Sequence, residues 1–141
     1  MRSLLSAALA VALTVVAALT LLPTGDAGWA WGSPAVEARW YLAGLDSPAT
    51  VRQLLGNLLL LTAVAAVAVL RFPVLRRPAV LAGAAVATGA AIEVLQWLLP
   101  LGRVVSPLDA LLNATGAVAA GLLVTVLVSP LAGGVRVARR G

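Results

Sequence analysis

The sequence contains no cysteine, no histidine and no lysine. Without cysteine there is no disulfide framework, no thiolate chemistry and no Cys-based metal site. Without histidine the commonest general base and the commonest metal ligand are both missing. Charge is scarce as well: 11% of the residues are charged, against about 25% in an ordinary soluble domain. Ten arginines and five acids give a net charge of +5. They do not form a basic face for nucleic acid but stand between long uncharged runs, as charges do in membrane proteins. What fills the chain is apolar. Of its 141 residues 62% are hydrophobic and the mean hydropathy is +1.05, where soluble domains are about 45–50% apolar. That excludes a soluble globular domain, and it excludes disorder, which needs hydrophobic poverty.

A hydrocarbon core about 30 Å thick is crossed by roughly 20 apolar residues in a helix. Four windows qualify: Leu4–Leu22, Gln53–Leu70, Pro78–Leu99 and Leu108–Val128. Pro78 suits the first turn of a helix, and Pro23, Pro73, Pro100 and Pro130 follow their windows as stops. The expected fold is therefore an all-α membrane protein of four transmembrane helices forming one domain over the whole chain. The first window is read as a retained span, with a cleaved signal peptide as the alternative. It is longer than the roughly 7–15 apolar residues of a signal peptide and lacks a clean small-x-small cleavage site.

Arginine placement gives the expected orientation. Arg2, then Arg71, Arg76 and Arg77, then Arg136, Arg139 and Arg140 share one side. Arg39, Arg52 and Arg103, mixed with Asp26, Glu37 and Asp46, share the other. The positive-inside rule puts the first group, and both termini, in the cytoplasm. The Pro23–Arg52 and Pro100–Pro107 connections then face outside. The long outer connection carries Trp29, Trp31, Trp40 and Tyr41. These read as an interfacial belt at headgroup level in preference to a ligand-facing patch, with part of the segment lying along the membrane as a short amphipathic helix.

Of the 15 charged residues, only Glu93 and Asp109 fall inside the windows. A charge at mid-membrane costs at least about 2.5–3.5 kcal/mol on insertion scales, so it persists where it is paired or used. Glu93, Gln96 and Trp97 share a face of the third helix, extended inward by Gly89. Asp109, Asn113, Gly116 and Ala120 form a polar-then-small stripe on the fourth, with Gly116 and Ala120 allowing close backbone approach. Helical rise puts Glu93 about 9 Å, Asn113 about 7–8 Å and Asn57 about 6 Å below the outer helix ends. The short turn makes helices 3 and 4 an antiparallel polar hairpin in which Glu93 faces Asn113, Gln96 faces Asp109, and Arg103 reaches either carboxylate. One reading is a hydrogen-bonded clasp. The other is a small pocket at the outer leaflet for a polar headgroup or envelope precursor. Two acids make a weak cage for a hard cation, so neither a metal nor a cofactor is expected. No nucleophile–base pair of the Ser/His kind can be built; Ser106 has only carboxylates and Arg103 as possible neighbours.

The stretch Glu93-x2-Gln96-x6-Arg103-x5-Asp109-x3-Asn113-x2-Gly116 resembles the signature of the VanZ-like family, and Gly56–Asn57 resembles its upstream motif opening the second helix. The resemblance covers Arg52 to Val128. Two departures stand out. Leu58–Ala66 is plain aliphatic with Thr62 where the family has a Phe-x-Pro-x-Gly-like stretch, which argues against a function that depends on a kinked second helix. Ala120, followed by Gly121, stands where a second glycine is usual.

The resemblance implies a small integral protein of the bacterial plasma membrane with a cell-envelope role, in a family named for an accessory protein of resistance to the lipoglycopeptide teicoplanin. It implies Glu93, Gln96, Arg103, Asp109, Asn113 and Asn57 as functional residues. Its partners would be the lipid bilayer and a lipid-linked envelope molecule or lipoglycopeptide, with no nucleic acid. Two other readings stay open. One is a membrane enzyme on lipid-linked precursors, with Glu93 and Asp109 as acid and base; the other is an oligomeric transporter or channel subunit.

Overall fold

The computed structural model describes residues 1–24 and 29–137. Asp26, Arg139 and Arg140, counted above toward orientation, lie outside the described residues. Proline sets where several helices begin. The elements run α1 (Arg2–Leu21), β1 (Trp29–Trp31), α2 (Pro34–Ala43), α3 (Pro48–Leu60), α4 (Thr62–Arg71), a 3₁₀ turn (Pro73–Arg76), α5 (Pro78–Leu98), β2 (Arg103–Val105) and α6 (Pro107–Val137). Pro34, Pro48, Pro78 and Pro107 each open a helix, where the fixed φ is already helical and the missing N–H would have had no partner.

Four helical stretches are long and apolar enough to cross a membrane: Arg2–Leu21, Pro48–Arg71, Pro78–Leu98 and Pro107–Ser129. The second begins five residues before its hydropathy window, because Pro48 starts the helix while Arg52 and Gln53 only depress the hydropathy of its first turns. It is also interrupted. Leu61, at φ −97° and ψ 1°, separates α3 from α4. Thr62 donates its hydroxyl proton to the Leu59 carbonyl at 2.7 Å, a local bond that competes with the helical ladder. At the other extreme Pro130 does not stop α6, whose backbone continues to Val137.

Small residues set the packing. The buried core joins Val16, Leu61, Ala65, Ala85, Ile92, Ala114 and Ala117, and α6 packs along α3, α4 and α5. Alanine and glycine at these contacts let backbones approach, which is how helices associate without a hydrophobic driving force between them. A Cβ added at Gly89 of α5 would lie 2.7 Å from the Ala110 carbonyl of α6. One added at Gly116 would fall onto the Leu58 carbonyl of α3. Leu81 of α5 meets Gly121 of α6, so α5 and α6 run antiparallel, and Gly116 serves the second span, not the hairpin. Ala120 is half-buried. Hydroxyls within the spans mostly bond back to the preceding turn, as Thr14, Thr88, Thr115 and Thr125 do, leaving no donor to the apolar surroundings.

The all-α expectation needs one correction. β1 and β2 form a two-stranded parallel sheet, Trp29 opposite Arg103 and Trp31 opposite Val105. The turn between α5 and α6 is thereby tied to the long connection after α1. Gly102 allows this turn: at φ 66° it occupies the left-handed region that other residues avoid. Its carbonyl accepts the Thr24 hydroxyl at 3.2 Å.

Candidate functional site

One end of the bundle gathers the C-terminal ends of α1 and α5, the N-terminal ends of α3 and α6, the sheet and α2. Between them lies an open cavity of about 740 Å³, a size typical of small-molecule sites. Glu93, Gln96, Arg103, Asp109, Asn113 and Asn57, singled out by spacing, all line it. Their partners differ from those inferred by depth alone.

Ser106 is the hub. It precedes Pro107 and caps α6, its Oγ accepting the Asp109 backbone N–H at 3.0 Å. The same hydroxyl donates to Glu37 Oε2 at 2.6 Å. The Ser106 backbone N–H donates to Glu93 Oε2 at 2.7 Å. Three acids from three helices therefore meet at one helix N-terminus, where the aligned peptide dipoles favour negative charge. Asp109 Oδ1 also accepts the Tyr41 hydroxyl at 3.0 Å. Burial, followed by the charge of Asp109 and the hydrogen bond to it, pushes the Tyr41 phenol up to about 12; Asn57 opposes this, and Glu37 adds to it.

Arg103 does not neutralise an acid. Its Nη2 donates to the Leu19 and Leu22 carbonyls at 2.8 and 3.1 Å, and its Nε to Leu22 at 3.3 Å. It caps the C-terminus of α1, where carbonyls lack helical donors and the dipole favours a cation. Gln96 does not face Asp109 but donates from Nε2 to the Thr20 carbonyl at 3.0 Å, also on α1. Glu93 bonds to Ser106 and not to Asn113. Asn113 is only 1% exposed, and its Oδ1 has no hydrogen-bond partner. Asn57 stands beside Tyr41 and Asp109, close enough to feel both, yet outside hydrogen-bond geometry, and its buried Nδ2 is unpartnered.

Glu37, Tyr41 and Ser106 are the members of the cluster that spacing did not single out. Glu37 and Tyr41 are four apart on α2, so they share a face; that periodicity was the available signal. Tyr41 is 6% exposed and belongs to the site, not to an interfacial belt. Trp31 and Trp40 are exposed. Gly32 lies against the Glu37 carboxylate, where a Cβ would displace it. Among the described residues no group of three acids has the arrangement of a metal site.

The class is now defined: a small helical membrane protein with a polar cavity at one end of its spans. The VanZ/LLP1 family profile matches residues 9–128, and the chain belongs to that family. No curated protein and no solved structure matches it.

Proposed function

We propose that this VanZ-like membrane protein binds the polar head of an amphiphile at the outer leaflet of the bacterial plasma membrane, without transforming it. The role is in the cell envelope, and tolerance of teicoplanin-type lipoglycopeptides is its expected outcome. The observation that carries this reading is the unfinished polar lining of the cavity. Buried polar groups normally find partners, and here the buried Asn113 Oδ1 and Asn57 Nδ2 have none. A clasp evolved only to lock helices would have paired them. The outward placement is supported by Arg2, Arg71, Arg76 and Arg77 at the opposite end. Large apolar side chains such as Leu19, Leu59, Val86 and Leu123 cover the flanks, as a lipid-facing surface requires.

The test is a deletion strain complemented with wild type or Asp109→Asn and challenged with a panel of envelope-targeting agents. Wild type restores tolerance of at least one agent, and Asp109→Asn, present in the membrane at equal level, does not. Equal protection by both would refute a role for the pocket.

A second reading has one observation in its favour. The Ser106 hydroxyl points at Glu37 at 2.6 Å with Glu93 and Asp109 alongside, a layout able to divide acid and base work on a lipid-linked envelope precursor. It requires turnover by purified protein, abolished by Glu93→Gln. Absence of turnover with undecaprenyl-linked substrates removes it.

A further inference from the structure

The lining of the cavity also bears on what kind of headgroup it accepts; this step rests on the headgroup-binding reading above. Glu37, Glu93 and Asp109 each accept a side-chain or backbone donor through one oxygen. The second oxygens of the two glutamates, Glu37 Oε1 and Glu93 Oε1, are left without a donor from a described residue, and Asp109 has the Asn57 amide beside it. Neighbouring cations do not satisfy them. Arg103, the one arginine among the described residues that lines the cavity, spends its Nε and Nη2 on the carbonyls at the end of α1.

Asn113 supplies an independent sign that a ligand is missing. Its side chain is 99% buried, lines the same cavity, and presents an Oδ1 with no partner. The demand for a ligand comes from Asn113, and its charge from the acids. Several acceptors around a space of about 740 Å³, without metal-site geometry among the described residues, suit a cation that carries its own hydrogen-bond donors. A primary ammonium has three N–H donors and no acceptor. Trp40, 46% exposed, also lines the cavity, and an aromatic ring attracts such a cation. Arg103 stands on the wall with Nη1 uncommitted, suited to a phosphate beside the ammonium.

We infer that the cavity recognises the primary ammonium group of an amphiphile's headgroup, held by Glu37, Glu93 and Asp109 beside the unpartnered Asn113. The group could belong to an aminophospholipid or to an alkylammonium amphiphile without phosphate, and the arms of the test separate the two.

Wild-type protein is reconstituted in nanodiscs of equimolar phosphatidylethanolamine, phosphatidylcholine and phosphatidylglycerol, released into the gas phase, and its retained lipids counted by native mass spectrometry. Phosphatidylethanolamine is retained about tenfold over the other two, the equivalent of one charge-assisted hydrogen bond. In Glu37→Gln and Asp109→Asn the preference falls toward unity. Glu37 lies on α2, outside the four spans, so Glu37→Gln leaves the bundle contacts in place; the wild-type competition stands even if Asp109→Asn does not fold. Dodecylammonium added to the wild type displaces the retained phosphatidylethanolamine if the ammonium suffices. Failure to displace it, with phosphatidylglycerol retained equally, shows that phosphate is what is read and overturns the inference. Retention of all three lipids alike, lowered by Glu37→Gln, overturns the ammonium preference and leaves a headgroup pocket. Retention indifferent to both headgroup and variant overturns both readings.

Discussion

The two ends of the bundle are held by different forces. At the cavity end, side chains bond across long stretches of chain: Tyr41 to Asp109, Ser106 to Glu37, Gln96 to Thr20 and Arg103 to Leu19. At the opposite end Arg71 Nε donates to Ser6 Oγ at 3.0 Å, and the same guanidinium lies 4.8 Å from the Phe72 ring centroid. Between them, alanine and glycine contacts hold α6 to its neighbours. In an apolar solvent, packing of small residues suffices to hold helices. A dense polar cluster is therefore more than adhesion demands, above all where some members stay unpartnered.

Breaking the packing should have the largest effect. Gly116→Ala drives a Cβ into the Leu58 backbone, which cannot move without shifting α3. It should destabilise the protein by about 1–3 kcal/mol, seen as a lowered melting temperature in detergent. Gly56→Ala, with open space around the added carbon, is the matched control and should leave that temperature almost unchanged.

Next comes the hub. Ser106→Ala removes the cap of α6 and the proton shared with Glu37 while keeping the backbone bond to Glu93. A loss of about 1–2 kcal/mol is expected. Hydrogen exchange should quicken in the first turn of α6 and in α2, and not near Arg71.

Arg71→Gln at the other end removes an exposed bond and should cost less than about 1 kcal/mol. A cost as large as that of Ser106→Ala would erase the contrast between the ends.

The gentlest probe is pH. Tyr41 is the chain's one tyrosine, so absorbance near the tyrosinate band reports it alone. Its half-titration is expected at about 12. Because the folded state holds the phenolic proton more tightly than the unfolded chain, this linkage stabilises the fold below pH 10 and is lost as pH rises through about 12. Asp109→Asn should move the midpoint down, though not fully to 10, since burial is the largest cause. An unmoved midpoint would mean that Tyr41 and Asp109 do not interact.

Much of this was legible along the chain because it is local. Four spans follow from run length and hydropathy, and Pro78 marks a helix start wherever the helix packs. Glu93 and Asp109 announce themselves as the two charges inside apolar windows. Other features were hidden. The interruption at Leu61 depends on a threonine hydroxyl choosing the Leu59 carbonyl, and hydropathy is blind to it. Glu37 read as one more charge of a loop until α2 brought it to Ser106, 69 residues away.

What the amino-acid sequence determined by itself is the number of spans, their approximate bounds and the family, since each rests on residue type at short spacing. Tertiary structure alone decided which polar groups meet. Arg103 is as near in sequence to Asp109 as any cation, yet it binds the end of α1, 81 and 84 residues back. The rotation of each helix about its axis chooses such partners. That rotation is set where Gly89 meets Ala110 and Gly116 meets Leu58, contacts that hydropathy and spacing along one segment do not encode.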